Sequence, residues 1–311
     1  MILELEQQII PYKMVTFTIS TYNNLEYLKL AIKSVRENAY YKDAPFIIHT
    51  ENCTDGTNEW LFSVKDFYNL ELYIEPEVKP ARGIGGGMNI SISKVKTKYV
   101  IPIQSDFFVG YHFDLALIEE LKKCKGRAIV SSWRIQPNIF GNPPQKPGNL
   151  FLPLNTFGAY WNDFDYTTFT EYSREFCEKN AIIIRRAEGA GGYALKKDDW
   201  DYVGGNDSVF APTSWEDMDL FIRMQNLGFE IKQTSKSLIW HFAGRGSHRL
   251  EENGGQTCQR QREAEQRNFL KFQLKWGQLP QFDENDFVKP IPSKYNRMEY
   301  NIETNTSKFV E

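Results

Sequence analysis

Between residues 14 and about 130 the chain alternates strand-like apolar runs with helical patterns, and no other feature narrows its fold as far. The series runs MVTFTIS, NLEYLKLAIKSVRENA, PFIIHT, GTNEWLFSVKDFY, LELYIEP, a Gly-rich turn into MNISISKVK, and KYVIPIQ. Strands that alternate with helices of about 10 to 15 residues build βαβ units. The pattern therefore predicts an α/β fold with a mostly parallel central sheet and helices on both faces. Such sheets bind ligands beyond the carboxyl ends of their strands. The residues directly after each strand are where chemistry is to be sought.

A helix pattern, FDLALIEELKKC, and a strand, RAIVSSWRI, come next, followed by a Pro/Gly/Asn stretch over residues 136 to 153. That stretch can continue neither element and marks a boundary. Beyond it lie the aromatic block FGAYWNDFDYTTFTEY, the turn GAGGY, a helix opening at 214, a strand pair around FEIKQ and SLIWHF, and a long polar helix from about 251 to 276. The last 30 residues read as extended and weakly structured. The expected division is one domain over 1–250, with halves at 14–135 and 136–250, and a C-terminal helix and extended tail over 251–311.

With 311 residues the chain can bury a sizeable core as one large domain. A net charge of −3 gives no basic field to hold nucleic acid or an anionic membrane, so any phosphate binding must be local. Cys53, Cys124, Cys177 and Cys258 form no CxxC pair, which argues against a zinc knuckle, a redox motif or a disulfide framework and fits a reducing compartment. The opening MILELEQQIIPYK has acids where a leader needs positive charge, and no run of about 18 apolar residues occurs. A cytoplasmic protein without a transmembrane segment is expected, with peripheral membrane contact left open.

Three segments after strands stand out. TISTYNN, residues 18 to 24, offers hydroxyls, an aromatic ring and two amides, although a strand-to-helix turn with Asn24 as N-cap explains part of it. HTENCTDGTNEW, residues 49 to 60, carries TDGT, which also suits a turn and a helix start. In RGIGGGMNISISKVKTKYVIPIQSDFF, residues 82 to 108, the run GIGGG before a helix lets the backbone approach a bulky anion, and the next strand is expected to end at Asp106. A dinucleotide fingerprint would lie after the first strand, and Asn89 stands where its last glycine belongs.

A fourth segment, TSWEDMDLFIRM at 213 to 224, places three carboxylates at a helix start. At 3.6 residues per turn Asp217 shares a face with Leu220, Phe221 and Met224 and is expected to point inward, while Glu216, Asp219 and Arg223 form an outer polar stripe. Capping is the competing explanation, with Ser214 as N-cap and first-turn acids complementing the helix dipole.

Taken in order, STYN at 20–23, TENCTDGT at 50–57, GIGGGMN at 83–89, QSD at 104–106, WED at 215–217 and WHFAG at 240–244 resemble the motifs of the inverting glycosyltransferases of family 2, which have the GT-A nucleotide-diphospho-sugar transferase fold. The resemblance spans about residues 14 to 250, and KWG at 275–277 is similar to the tail of many relatives. It implies transfer of a sugar, with inversion, from a nucleotide-diphospho-sugar to a hydroxyl of a glycan or lipid-linked acceptor, as in polysaccharide biosynthesis. A UDP-sugar is the favoured donor, with GDP and dTDP open. The half at 14–135 would hold the donor and the half at 136–250 the acceptor. By the same resemblance Thr21, Tyr22, Glu51, Asp55, Gly85, Gly86, Asn89, Ser105 and Asp106 would line the donor site. Asp106 and His241 would hold a divalent metal, Mn²⁺ or Mg²⁺, and Asp217 would be the catalytic base. Trp161, Glu216 and Arg245 would serve the acceptor or a lid. Two departures stand out: Gln104 replaces the first Asp of the family's DxD, and Thr50 and Glu51 replace an Asp pair.

Elementary chemistry agrees with those roles. A departing nucleoside diphosphate gathers negative charge that a divalent cation offsets. An attacking hydroxyl must lose a proton, and a placed base contributes about 10²–10⁴-fold. Plainer alternatives stay open: His241 as a structural histidine, Arg245 with His248 and Arg249 as a solvated turn, and the aromatic block from Phe157 to Tyr172 as core rather than an acceptor wall. Two other functions compete. A sugar nucleotidyltransferase would want a basic Gly-rich loop after the first strand, and STYNNLEY has neither Gly nor Lys. A catalytically inactive carbohydrate- or nucleotide-binding protein is favoured by Gln104 and opposed by Asp217 and His241.

Overall fold

A computed structural model describes residues 14–77, 81–139, 141, 145–185, 191–243, 259–284 and 286–310. The predicted alternation is present: β1 (Val15–Thr21), α1 (Leu25–Asn38), β2 (Phe46–Glu51), α2 (Thr57–Val64), β3 (Leu70–Glu75), α3 (Gly83–Ser93) and β4 (Tyr99–Ile103) follow one another. β1 pairs in parallel with β2 and with β4, and β2 with β3. Strand β1 is buried along nearly its whole length, as a strand covered on both faces must be.

Beyond β4 the chain adds β5 (Phe107–Val109), α4 (Phe113–Lys123), β6 (Ala128–Pro137), β7 (Asn149–Leu152), α5 (Tyr166–Lys179), β8 (Ile183–Ile184), β9 (Tyr193–Lys196), α6 (Lys197–Val203), α7 (Glu216–Asn226) and β10 (Glu230–His241). The sheet order is β3-β2-β1-β4-β9-β6-β10-β5, with β7 beside β6 and β8 beside β10. β9 runs antiparallel between β4 and β6, β10 is parallel to β6, and β5 closes the edge antiparallel to β10. Helices cover both faces. Phe17, Ile19, Phe46 and Ile48 pack with Leu28, Ile32, Phe113 and Leu117 of α1 and α4. Ile47, Val100 and Leu195 pack with Met88 and Ile92 of α3 and with Phe221 of α7 on the other side.

Four expectations are corrected. The expected strand pair around FEIKQ and SLIWHF is one 12-residue strand, β10, whose register with β6 shifts between Thr234 and Leu238. A bulge lets one strand absorb the polar TSKS and still pair on both sides. The glycines of GIGGG lie inside α3 rather than in a turn before it. The tail is not weakly structured: β11 (Arg297–Asn301) and β12 (Thr306–Val310) form an antiparallel hairpin. The aromatic block divides, with Phe157, Phe164 and Phe169 buried and Tyr160, Trp161 and Tyr166 exposed.

The long polar helix is α8 (Gln259–Trp276). Residues 251–258, the opening segment 1–13, and parts of the 136–153 stretch and of GAGGY lie outside the described residues. No described helix is long and apolar enough to cross a membrane. Cys53, Cys124 and Cys177 are unbridged, and burial pushes the Cys53 thiol up to about 11 and the Cys177 thiol up to about 12.

Candidate active site

Two residues far apart in sequence meet where β4 and β10 end. His241 closes β10 opposite Phe107, the first residue of β5, so Asp106 lies beside it: His241 Nε2 is 3.4 Å from Asp106 Oδ2. The imidazole packs edge-on against Phe107, and the backbone N–H of Phe242 donates to the carbonyl of Asp106 at 3.1 Å. Gln136 fixes the tautomer. Its amide nitrogen donates to Asn149 Oδ1 at 2.7 Å, which leaves its oxygen 3.1 Å from His241 Nδ1. An oxygen there accepts, so Nδ1 carries a proton, and Nε2 faces Asp106 with a second proton when the ring is charged and with its lone pair when the ring is neutral. Burial opposes ionisation of Asp106, but His241, joined by Arg134, more than offsets it and holds the carboxyl below its ordinary range.

A carboxylate oxygen and an imidazole lone pair facing each other at this spacing repel unless a proton or a cation stands between them. Oxygen and imidazole donors suit Mn²⁺, so the pair fits a divalent ion. Among the described residues no group of three or more His, Cys, Asp or Glu side chains is arranged to hold a metal, so a cation here would need ligand oxygens to complete its shell.

The opening of α7 shares this edge. Gly191 and Gly192, which lead into β9, lie against Gln104 and Phe107, and Tyr193 follows them. Burial, then the charges of Asp217 and Glu216, push the Tyr193 hydroxyl pKa upward, which places both acids near that ring. Ser214 and Trp215 have φ of 75° and 77°, a conformation that costs non-glycine residues roughly 1–3 kcal/mol and collects at functional sites. Trp215, not Ser214, is the N-cap, and no side chain caps the helix.

Leu220, Phe221 and Met224 of α7 are buried as expected, but the expected outer stripe is buried too. Glu216, Asp219 and Arg223 are buried, while Asp217 is half-buried. The physical reason is α8, which packs on the polar stripe and supplies its partners. Asp219 accepts from Arg223 Nε at 2.8 Å and from Trp276 Nε1 at 3.0 Å, and lies 2.5 Å from Lys275 Nζ. Burial opposes ionisation of Asp219, but Lys275 and Arg223 outweigh it and hold the group ionised. Among the described residues Glu216 has no such cation. Burial first, then Asp217 and Asp219, push it up to about 8, and its Oε2 has no hydrogen-bond partner among the described residues. Asp217 Oδ1 accepts from the Met218 N–H at 2.7 Å.

The profile described as glycosyl transferase family 2 matches residues 16–188, more than half of the 311 residues. The chain belongs to glycosyl transferase family 2. Among solved structures, the crystal structure of GalNAc-T7 with UDP, GalNAc and Mn²⁺ superposes with a TM-score of 0.56 at 12% identity, covering 74% of this chain and 44% of that one. The crystal structure of S. aureus TarS 1-349 gives 0.48 at 12% identity, covering 73% of this chain and 60% of that one. This family 2 chain thus spans less than half of GalNAc-T7 and under two thirds of TarS 1-349. The likeness to GalNAc-T7 shows a shared GT-A glycosyltransferase fold. Comparison with curated proteins found no match.

Within this family 2 chain the residues expected to line the donor site divide into two groups. Thr21, Tyr22 and Ser105 lie at the edge: Thr21 Oγ1 donates to the Asn23 carbonyl, Asn24 Nδ2 reaches Ser105 Oγ at 3.3 Å, and Tyr22 is 46% exposed. The others are held by the protein. Glu51 accepts from the N–H groups of Arg82 and Gly83 at 2.9 and 3.2 Å, so it caps α3. Asp55 accepts from the Leu25 and Thr57 N–H groups and caps α1 from outside, in place of Asn24. Asn89 exchanges two hydrogen bonds with the backbone of Asn206. A Cβ at Gly85 would meet Asn206 at 3.0 Å and Glu216 at 3.4 Å, and one at Gly86 would meet Arg82 and Asn305 at 3.0 Å. Close packing, rather than approach of a ligand, accounts for those two glycines.

Trp161 is 39% exposed on a loop that Asp163 pins by accepting from the Ala159 and Tyr160 N–H groups, while Phe164 of that loop packs on Phe242, next to His241. Arg245 and the rest of the presumed lid lie outside the described residues. Gln104 lines a small cavity with Thr18, Ser20 and Met88.

Sequence reasoning missed Gln136 and found no support for a role of His49. Gln136 opens the Pro/Gly/Asn stretch at a strand end, and the rule that chemistry follows strands would have drawn attention to it. His49 sits in a polar line across the sheet: Nδ1 is 2.9 Å from Ser20 Oγ, Nε2 is 2.9 Å from Glu75 Oε2, and Arg82 Nε donates to Glu75 at 2.6 Å. No local pattern announces a contact among three adjacent strands.

Proposed function

We propose that the chain is an inverting nucleotide-sugar glycosyltransferase acting on a hydroxyl of a glycan or lipid-linked acceptor. One observation carries this reading: Asp106 and His241 meet where β4 and β10 end, and Glu216 at the α7 opening packs against Gly85 in the first turn of α3. Asp106 and His241 Nε2 would hold Mn²⁺ or Mg²⁺, which when bound neutralises charge on the departing diphosphate. Gln136 keeps His241 in the ligating tautomer. Asp217, at the mouth of a helix N-terminus that favours its ionised form, accepts the proton of the attacking hydroxyl, and a single in-line displacement inverts the anomeric carbon. The half at 14–135 holds the donor, and the half at 136–250, with Trp161 on its rim, faces the acceptor. GalNAc-T7, with the same fold, was crystallised with UDP and Mn²⁺, so UDP-sugars are the first donors to try.

Calorimetric titration of UDP, GDP and dTDP with and without Mn²⁺ tests the donor site. One nucleotide should bind in a Mn²⁺-dependent way, and Asp106→Ala should lose at least ~10-fold of that affinity only when metal is present. A variant that binds as well as wild type in Mn²⁺ removes Asp106 from the metal site. Anomeric analysis of the product by NMR decides inversion.

A further inference from the structure

The α7 opening rests on a buried group of charges that the roles above leave unused. Lys275 Nζ lies 2.5 Å from Asp219 and 2.7 Å from Asp207 Oδ2, and Asp219 also holds Arg223. Two acids and two bases make a balanced quartet, and its side chains are almost wholly buried. Its members come from α7, from α8 and from the turn before Ser208–Phe210. The same ammonium stands 4.9 Å from the Phe309 ring of β12, so the C-terminal hairpin closes over it. α8 grips the strained approach to α7 as well: Asn268 Nδ2 donates to the carbonyls of Phe210 and Thr213 at 2.5 and 2.7 Å, and Trp215 packs at a tilt against Phe269 and Phe272.

A helix start held with two consecutive residues at positive φ persists only where its surroundings over-determine it. Charge matters too. Asp219 sits one residue beyond Met218 and contributes to the field on Glu216, so its neutralisation bears directly on the first turn. Without Lys275, Asp219 would keep only Arg223 and Asp207 would keep only the more distant charge of Lys271, so negative charge would be less fully offset beneath Glu216 and Asp217. In a buried setting that favours protonation of a neighbouring carboxylate.

We propose that Lys275 is a positioning residue for the transfer reaction: from outside the family-matched segment it closes the quartet under α7, fixes the Glu216–Asp217 opening and keeps net negative charge from building beside it. The inference rests on the proposed transferase reading with Asp217 as base. Among the described residues the charged and titratable groups around the α7 opening are Tyr193 from β9, Asp207 from the preceding turn, Asp219 and Arg223 from α7, and Lys271 and Lys275 from α8.

The experiment compares Lys275→Met, Lys275→Arg and Asp207→Asn with wild type, measuring donor KM, kcat from pH 5 to 9, and thermal unfolding. Lys275→Met should lower kcat by ~10-fold or more, leave donor KM within ~2-fold, and move the acidic limb of the kcat profile to higher pH. Lys275→Arg should restore the position of that limb. Asp207→Asn keeps the shape of the turn and removes one acid, so it should move the limb the opposite way, and it tests the idea even if Lys275→Met does not fold. Unchanged limbs in Lys275→Met and Asp207→Asn, with only unfolding temperature altered, would overturn the proposal while leaving the transferase reading intact. Absence of any transfer by wild type would overturn both.

Discussion

A carboxylate serves as a base only where an acceptor can reach it and where it stays ionised, and these two conditions separate the acids of α7. Asp219 is enclosed and paired, Glu216 is enclosed and pushed up to about 8, and Asp217 is half-buried at the helix mouth. The prediction is that Asp217→Asn, which keeps the shape and the bond from the Met218 N–H, lowers kcat by ~10²-fold or more while nucleotide affinity and unfolding temperature stay near wild type. Initial-rate kinetics with calorimetric binding check this, and a near-normal kcat would return Asp217 to a structural role. The cluster of acids at this helix start was legible in sequence, and the direction each one faces was not. Periodicity marked two faces correctly, and the polar one went inward because Arg223, Lys275 and Asp207 supply compensating partners. Two of those three lie outside the helix, beyond the reach of any local pattern.

Helix α3 shows the same limit from the opposite side. Four glycines in a row of five suggest a phosphate cradle, because only glycine permits repeated close approach of backbone to an anion. What approaches instead is protein: Pro212 at Gly83, Asn206 at Gly85, Arg82 and Asn305 at Gly86, and Ser20 and His49 at Gly87. The segments that bring Asn206, Pro212 and Asn305 are more than a hundred residues away in the chain. Elements that pair through neighbouring strands, from β1 to β4, were legible in sequence, as was the meeting of Asp106 and His241 after their strands. Contacts made by the tail were not, since its short polar hairpin carries little hydrophobic periodicity. Gly86→Val should therefore act on stability rather than on donor binding. Added methyl groups against Arg82 and Asn305 should cost about 1–3 kcal/mol, read as a lower denaturation midpoint in urea, with nucleotide affinity of the folded protein unchanged. A weakened donor affinity at full stability would restore the cradle.

A buried acid whose pKa is pushed upward should leave its mark on the stability of the entire fold. Glu216 titrates near 8 when folded against an ordinary value of 4.5, so between those pH values the native state keeps a proton that the unfolded chain has released. Stability then falls as pH rises from about 4.5 to about 8 and levels off above that. Glu75 works in the other direction. The His49 hydrogen bond, opposed by burial and aided by Arg82, holds it at about 2, so its contribution is complete above its ordinary range and is lost as pH falls toward 2. Burial pushes Asp114 up to about 6, which adds to the decline on the alkaline side. Together these groups place the maximum in weak acid. Glu216→Gln mimics the protonated acid at every pH and removes its share of the decline. Its advantage over wild type should be near zero at pH 4.5 and reach about 2–5 kcal/mol at pH 8.5, measured by urea unfolding at both values. An equal difference at the two pH values would mean that Glu216 is not the source. A pH-dependent gain would show that this helix opening keeps a destabilising acid beside Asp217, as sites selected for chemistry rather than stability do.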